Sequence, residues 1–532
     1  MMMERFEVIV IGAGPAGLAA AIEAASNGMQ VVVFDENSRP GGQLFKQIHK
    51  FFGSKEHHAK IRGFKIGEKF LQEAETLGVK VVLNASVIGI FQNREVSVML
   101  GDRISHYRAN AIVIATGASE KMIPFAGWTL PGVIGAGAAQ TMMNIHGIRP
   151  GNRVLMVGSG NVGLVVGFQL IQAGCKLEAV IDAAPRIGGY GVHAAKIARL
   201  GVPFYLSHTI IGARGAEFVE RATIAEVDQN WQQVPGTEKD LELDTICLAV
   251  GLTPMSQLAR IAGCQVADLP QKGGMVPVCN AFGETSIPGI YATGDVAGIE
   301  EASSAMIQGK IAGAAISLAQ GYLSAEDFQL RYASYDHSLG QLREGTFGHE
   351  NKGRTDLKTT DDGYPLSQFL FRKGYLADGE LSHYPGVPTS ERLNQELMPV
   401  IECIQNIPCN PCQDACPQGC IVIGSTITNL PAINQSAKCS GCGMCVVSCS
   451  GQAIFLVDVN YAPGYAAISL PYEFKPLPAV GTSGVALDRS GAILGEAEVI
   501  SVRKTAVMDE TAILTMKVPV QWAMSARFFK QL

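Results

Sequence analysis

The chain has 532 residues, 47% of them hydrophobic and 17% charged, with a formal net charge of −6. That length suits about three or four domains, each able to bury a core. Both signs of charge are spread along the chain, and there is neither a basic block suggesting nucleic acid nor an acidic disordered tail.

The opening stretch "MMMERFEVIVIGAGPAGLAAAIEAA" is apolar, but Glu7 sits inside it and Pro15 and three glycines break it. This argues against a signal peptide or a membrane span. No other run reaches the ~18 uninterrupted apolar residues that a span needs. The expected location is the cytoplasm, with any membrane attachment made through a partner.

"FEVIVIGAGPAGLAAAIEAASNGMQVVVFDEN" reads as strand, glycine turn, helix and second strand. Gly12 makes the tight turn, Gly14 lets the backbone approach a pyrophosphate, and Gly17 lets helix and strand pack closely. Pro15 and Ala16 lie within this turn and join the cofactor-binding candidates. The helix start offers free N–H groups and a positive dipole end to phosphates. The second strand leads to Asp35 and Glu36, either of which can accept from ribose hydroxyls, with Asp35 favoured by strand spacing. Gly41, Gly42 and Gln43 follow in a loop that can lie close to a cofactor. A further buried strand ends at Ala115, Thr116 and Gly117. The pattern then repeats. Gly158, Gly160 and Gly163, with Asn161 and Val162, stand between a strand and a helix, and the next strand ends at Asp182. An acid there favours a free ribose 2′-hydroxyl, hence NAD(H) or an adenine nucleotide over NADP. A third stretch, "IPGIYATGDVAG", leads through Gly294 to Asp295.

Over roughly residues 4–325 these motifs resemble the two-dinucleotide-domain flavoproteins, the thioredoxin reductase-like and glutathione reductase-like enzymes. The resemblance implies a discontinuous FAD-binding domain over 1–121 and 285–325, with Asp295 contacting the FAD chain. It also implies an inserted NAD(H)- or nucleotide-binding domain over 122–284. One feature departs from that family: no C-x2-C or C-x4-C redox pair occurs before Cys409. Electrons therefore need another exit. "PRIGGYGVHAAKIARLGVPFYLSHTI" narrows the resemblance to the α subunits of heteromeric amine and imino-acid dehydrogenases, such as dye-linked proline dehydrogenase, opine oxidase, hydrogen cyanide synthase and heterotetrameric sarcosine oxidase. In that family a partner flavoprotein β subunit oxidises the amino acid, and a small iron–sulfur subunit is a further candidate partner. His193 and His208 receive no chemical role.

Residues 326–397 read as a linker with helices, "AEDFQLRYASYDHSL" and "TSERLNQELM". Of 13 cysteines, Cys175, Cys247, Cys264 and Cys279 are scattered, as buried thiols usually are. The other nine lie between Cys403 and Cys449, a density that suggests metal rather than disulfides in a chain without an export signal. Cys439, Cys442, Cys445 and Cys449 are spaced C-x2-C-x2-C-x3-C. That spacing puts three thiolates around one cluster and sends the fourth away. Cys403, Cys409, Cys412 and Cys416 are spaced C-x5-C-x2-C-x3-C and precede Pro417. Zinc, suggested by C-x2-C pairs, fits eight such thiolates less well. Residues 398–458 resemble two-cluster ferredoxins. The resemblance implies one [4Fe–4S] cluster on Cys403, Cys409, Cys412 and Cys449, and another on Cys439, Cys442, Cys445 and Cys416. Cys420 is read as a bystander. The long loop after Cys403, and Ser450 in place of the usual proline, depart from the ferredoxin pattern. Residues 459–532 alternate apolar and polar and read as a small β domain.

The expected fold class is thus α/β: two Rossmann-like FAD/NAD(P)-binding domains of disulfide-reductase type, a ferredoxin-like two-[4Fe–4S] domain and a small C-terminal β domain. A flavin accepts two electrons and clusters carry one each, so such a chain converts between the two. The first reading is the electron-transfer α subunit of a heteromeric amino- or imino-acid dehydrogenase acting on proline, hydroxyproline or an opine. The alternative is an NAD(P)H:ferredoxin-type oxidoreductase, or an electron-input subunit like the small subunit of glutamate synthase. A third, non-enzymatic reading is a nucleotide-sensing scaffold with structural clusters. No His or Glu falls in a recognisable catalytic motif, so no catalytic residue is assigned.

Overall fold

The run Val8–Ile11 is buried with no polar alternation, as in a strand covered on both faces of a parallel sheet. It closes β1 (Glu4–Ile11), which leads into α1 (Pro15–Ser26) and the fully buried β2 (Val31–Phe34). Pro15 occupies the first turn of α1, where its missing N–H costs no helical hydrogen bond. β3 (Lys80–Val82) and β4 (Arg103–Ile114) complete a parallel array in the order β3-β2-β1-β4. Val8 is in register with Val31 on one side and with Ala111 on the other. Beyond β4 the sheet continues with two antiparallel strands, Glu95–Leu100 and Ala85–Phe91. The computed structural model describes residues 3–345 and 358–532, so part of the linker expected over 326–397 lies outside the described residues.

The second strand–helix–strand repeat forms β5 (Arg153–Val157), α2 (Asn161–Gln172) and β6 (Lys176–Asp182), followed by α3 (Gly191–Ala198) and β7 (Thr245–Leu248). Its parallel sheet runs Phe204–Leu206, β6, β5, β7, Val133–Gly135. The chain then forms β8 (Ile290–Ala292) beside β4 and α4 (Ala302–Ala319) against α1. The two helices approach closely because α4 presents glycines. A Cβ at Gly309 would stand 2.2 Å from the Ala16 carbonyl oxygen, and one at Gly313 would stand 2.6 Å from that of Ala20.

Two compact units result. The first comprises Met1–Phe51, Glu56–Lys121 and Gly251–Leu342; the second comprises Phe52–Lys55, Met122–Val250 and Arg343–Leu532. The chain rejoins the first unit at Gly251, ahead of residue 285, where the sequence places that return. Residues Leu252–Pro254 pair with Ala118–Glu120, which explains the earlier return.

The second unit also holds an antiparallel sheet. Its strands are β9 (Met398–Ile401), β10 (Ile454–Ala462), β11 (Tyr465–Tyr472), β12 (Ser483–Leu487), β13 (Ile493–Arg503), β14 (Ala512–Pro519) and β15 (Phe528–Gln531), in the order β9-β10-β11-β14-β13-β12-β15. β9 and β10 flank the cysteine segment, so that segment is clamped at both ends by paired strands. Cys412 and Cys445 pack in the same core as Val400, Ile454 and Leu514. Burying this apolar surface is what holds the cysteine loops in place.

Candidate functional sites

In the first unit the glycine loop between β1 and α1 is shaped by steric necessity. Gly12 has φ +105° and its Cβ would meet the Ala115 carbonyl oxygen at 2.4 Å; a Cβ at Gly17 would lie 1.9 Å from the Gly12 carbonyl oxygen. Gly14 is different, with nothing within 4 Å of the place its Cβ would take. The loop therefore opens at Gly14, where the start of α1 points its N–H groups. Gly41 donates from its N–H to the Ala13 carbonyl at 2.7 Å, and Gly42, at φ +54°, approaches the Gly14 Cα. Gln43 is exposed beside them.

Asp35 is buried. Its Oδ2 accepts from the Ala13 N–H at 2.6 Å, and its Oδ1 accepts from the N–H and Nδ2 of Asn37 at 2.8 Å. The carboxylate thus anchors the loop, and the neighbouring Glu36 is the exposed acid at that strand end. Across the loop, Thr116 Oγ1 donates to the Met255 carbonyl at 2.8 Å, and Gly117 has φ +71°. Gly294 packs against Ala16, and Asp295 Oδ1 accepts from the Glu300 N–H at 3.3 Å. Thr293 Oγ1 is buried with no partner among the described residues. An open glycine loop and an orphaned hydroxyl along the same sheet edge fit a dinucleotide with polar atoms to satisfy.

The second unit repeats the construction. A Cβ at Gly158 would meet the Ala249 carbonyl oxygen at 2.3 Å, one at Gly163 would meet the Gly158 carbonyl oxygen at 2.1 Å, and Gly160 again has open space. Asp182 Oδ2 accepts from the N–H and Oγ of Ser159 at 2.7 and 2.6 Å, and its Oδ1 accepts from the Ala184 N–H at 2.9 Å. Like Asp35, it ties strand end to loop. Val162 is exposed, while the Asn161 side-chain oxygen accepts from the Tyr190 N–H at 2.8 Å. The missed element here is Gly188-Gly189. The Gly189 N–H donates to the Ser159 carbonyl and the Gly188 N–H to Ser159 Oγ. This is the counterpart of Gly41-Gly42, and its signal was present in the sequence as a second Gly-Gly after the second acid.

The cysteines gather in two sets. Burial, with Cys449, Cys409, Cys403 and Cys445 facing it, pushes the Cys412 thiol far up. Burial and Cys449 push Cys403 up to about 12. Cys445 is raised by burial and by Cys439, Cys416 and Cys442. A cavity is lined by Cys416, Cys439, Cys442 and Cys445, and also by Cys420. Cys420, raised to about 12 by burial and by Cys416 and Cys439, belongs beside this second set and not the first. Backbone N–H groups point at sulfur: Cys420 to Cys416 at 3.2 Å, Gly441 to Cys439 and Ala453 to Cys449 at 3.4 Å. Among the described residues no three His, Cys, Asp or Glu side chains converge tightly enough for a single metal ion.

Beside the first set lies a buried ion cluster with no local sequence signature. Glu402 Oε1 accepts from Arg527 Nε at 2.6 Å and from Arg489 Nε and Nη2 at 2.9 and 2.8 Å. Burial pushes the Glu402 carboxyl up, but the Arg527 and Arg489 guanidiniums outweigh it and hold the group at about 2.

Residues 6–309 match the pyridine nucleotide-disulphide oxidoreductase family. The chain belongs to that family. It is accordingly an FAD-dependent oxidoreductase with an FAD/NAD(P)-binding fold. An opine oxidase subunit from Agrobacterium tumefaciens (strain Ach5) is 31% identical over 346 residues, covering 58% of this chain and 65% of that protein. Hydrogen cyanide synthase subunit HcnB from Pseudomonas aeruginosa is 28% identical over 328 residues, covering 58% of this chain and 70% of that one. The chain thus spans about two thirds of the length of the curated relatives it matches. The crystal structure of T. acidophilum thioredoxin reductase shares the fold, at 21% identity and a TM-score of 0.50 over 60% of this chain and 99% of that one. This family member lacks the redox cysteine pair in its dinucleotide-binding region. Among the described residues no helix is long and apolar enough to cross a membrane.

Proposed function

We propose that this chain is the electron-transfer α subunit of a heteromeric FAD-dependent amino- or imino-acid dehydrogenase, holding FAD, a second nucleotide and two [4Fe–4S] clusters. The observation that carries the reading is the crossed grouping of the cysteines. Cys449 packs with Cys403 and Cys409 against Val192, Ile407 and Ala453, while Cys416 lines one cavity with Cys439, Cys442 and Cys445. Exchange of the last ligand between two runs is how a pair of cubanes is bound. Zinc takes four thiolates at one centre, and eight thiolates at this spacing fit it less well.

The fit of each group rests on the chain's own atoms. Gly14 leaves the space for a pyrophosphate, Gly12 and Gly17 allow the loop to close behind it, and Thr293 Oγ1 and Asp295 offer hydrogen-bonding groups. Gly160, Asn161 and the Gly188-Gly189 loop frame the second nucleotide site, for NAD(H) or an adenine nucleotide. The cysteines supply eight thiolates, and the N–H groups of Cys420, Gly441 and Ala453 polarise three of the sulfurs. When bound, FAD would take up two electrons at once and the clusters would pass them on singly. The relatives named as subunits of opine oxidase and hydrogen cyanide synthase support the presence of partner subunits; we take these to be a flavoprotein β subunit that oxidises the amino acid and a small iron–sulfur subunit.

Anaerobic titration of the full chain, alone and with its partner, against NADH and against proline, hydroxyproline and opines tests the reading. Bleaching of the flavin by an amino or imino acid only when the partner is present is the expected result. Rapid, complete bleaching of the isolated chain by NADH would instead establish the pyridine-nucleotide:ferredoxin alternative, for which the second glycine loop is the support.

A further inference from the structure

Three arginines and one carboxylate line a narrow cavity in the second unit. Arg199 lies just past α3, Glu402 follows β9, Arg489 follows β12 and Arg527 precedes β15. The other lining side chains are apolar apart from Tyr375, and among the described residues no cysteine lines the cavity.

Most of the guanidinium N–H groups have acceptors. Glu402 Oε1 takes Arg527 Nε at 2.6 Å and Arg489 Nε and Nη2 at 2.9 and 2.8 Å. Arg489 Nη2 also donates to the Met524 carbonyl at 2.6 Å, and Arg527 Nη1 donates to those of Ala523 and Ala526 at 3.4 and 2.7 Å. Arg199 Nη2 donates to the Gln452 carbonyl at 3.0 Å. Arg527 Nη2 is left over. It is buried with no partner among the described residues, on a side chain only 1% exposed. A buried donor without an acceptor is costly.

The charges do not balance either. Guanidiniums stay protonated in proteins, so the lining carries three positive charges against the one negative charge of Glu402. Asp378, 3.7 Å from Arg489, is exposed and screened by solvent. Arg199 and Arg527 stand 5.4 and 4.9 Å from the centroid of the Phe455 ring, whose face offsets part of the charge. The carbonyls supply dipoles and no net charge. Buried cations in excess of their carboxylates favour an anion beside them.

Size narrows the occupant. The cavity gives about 20 Å³ to the centre of a water-sized group, and one water needs roughly 10–15 Å³ of such space. A nucleotide, an amino acid or a sulfate is too large, which leaves one water or one monatomic anion. A water would satisfy Arg527 Nη2 and leave the excess charge as it is. Chloride accepts from the same donor, carries the opposing charge and needs no donor-accepting wall around it.

We propose that this cavity binds one chloride-sized anion, which accepts from Arg527 Nη2 and is held by the excess positive charge of the lining. The anion ties together four segments that are distant in sequence, and so stabilises the second unit. The site stands whether or not the cysteines hold clusters.

The test is thermal melting of the full chain at fixed ionic strength, with potassium gluconate replaced stepwise by potassium chloride. Wild type should gain melting temperature saturably with chloride and with bromide, but not with sulfate. Glu402→Gln leaves three guanidiniums against no carboxylate and should bind chloride tighter by about tenfold or more, and Arg199→Met should bind it weaker by about as much. Crystals of wild type soaked in bromide should show an anomalous peak beside Arg527 Nη2. Melting curves that superimpose in chloride and gluconate, or a cavity that holds a water and no bromide, overturn the proposal. A chloride response equal in wild type and both variants, with bromide on the surface alone, means an adventitious ion only and overturns it too. If neither variant folds, the wild-type bromide map decides.

Discussion

Replacing Glu402 by Gln is expected to destabilise the second unit by about 3–5 kcal/mol. Glu402 takes three hydrogen bonds from two arginines on one oxygen, and its side chain is 10% exposed while those of Arg527 and Arg489 are 1% and 9% exposed. The amide keeps the shape and removes the charge, leaving both guanidiniums buried against a neutral acceptor. A Glu402→Leu/Arg527→Met double variant should be less damaging than Glu402→Gln, because it removes a charge of each sign together. Chemical denaturation of the full chain measures both. The pH dependence has a definite sign. The folded carboxyl, at about 2, lies below its ordinary value of 4.5. The contribution of Glu402 is therefore complete above about pH 4.5 and is lost as pH falls towards the folded value. The difference between wild type and Glu402→Gln should be constant from about pH 5 to 8 and shrink below about 4.5. A difference that shrinks on raising the pH instead would show that the charge of Glu402 is not what holds the cluster.

The second large effect separates folding from cofactor binding. Gly17→Ala would place a methyl 1.9 Å from the Gly12 carbonyl oxygen and 3.2 Å from the Ala115 Cβ. It should cost more than about 3 kcal/mol and yield a protein without flavin. Gly14→Ala meets nothing within 4 Å and has φ −77°, which any residue adopts. It should fold as wild type yet lose FAD affinity by tenfold or more, since the new methyl occupies the space beside the helix start. Gly160→Ala, with φ −68° and equally open surroundings, should keep FAD and weaken only the second nucleotide. Thermal melting and bound-flavin spectra of the three variants read this pattern directly. A Gly14→Ala protein with full flavin would place the cofactor elsewhere.

The contrast between these residues also marks what the sequence could disclose. Both glycine loops were legible because the constraint is local: turn, close approach and helix packing recur at fixed spacing. The roles of Asp35 and Asp182 were only half legible. Each stands at the strand end where it was expected, but its oxygens are already engaged with the loop backbone, which spacing cannot reveal. Gly188-Gly189 was visible and unread, because its meaning depends on the loop it crosses. Arg199, Glu402, Arg489 and Arg527 could not be found in advance. They come from four distant segments: Glu402 follows β9, Arg489 and Arg527 stand at the paired ends of β12 and β15, and Arg199 lies in the turn after α3. The cysteine runs announced themselves by density, while the position of Cys420 beside Cys416 needed coordinates.

The most direct measurement is the iron and acid-labile sulfide content of the full chain purified without oxygen, together with its EPR spectrum after dithionite reduction. Eight iron and eight sulfide per chain are expected, with two interacting four-iron signals and about half of the iron lost in Cys445→Ser. A chain that carries zinc, or that carries no iron after anaerobic reconstitution while binding FAD normally, would contradict the assignment of these cysteines as the electron exit.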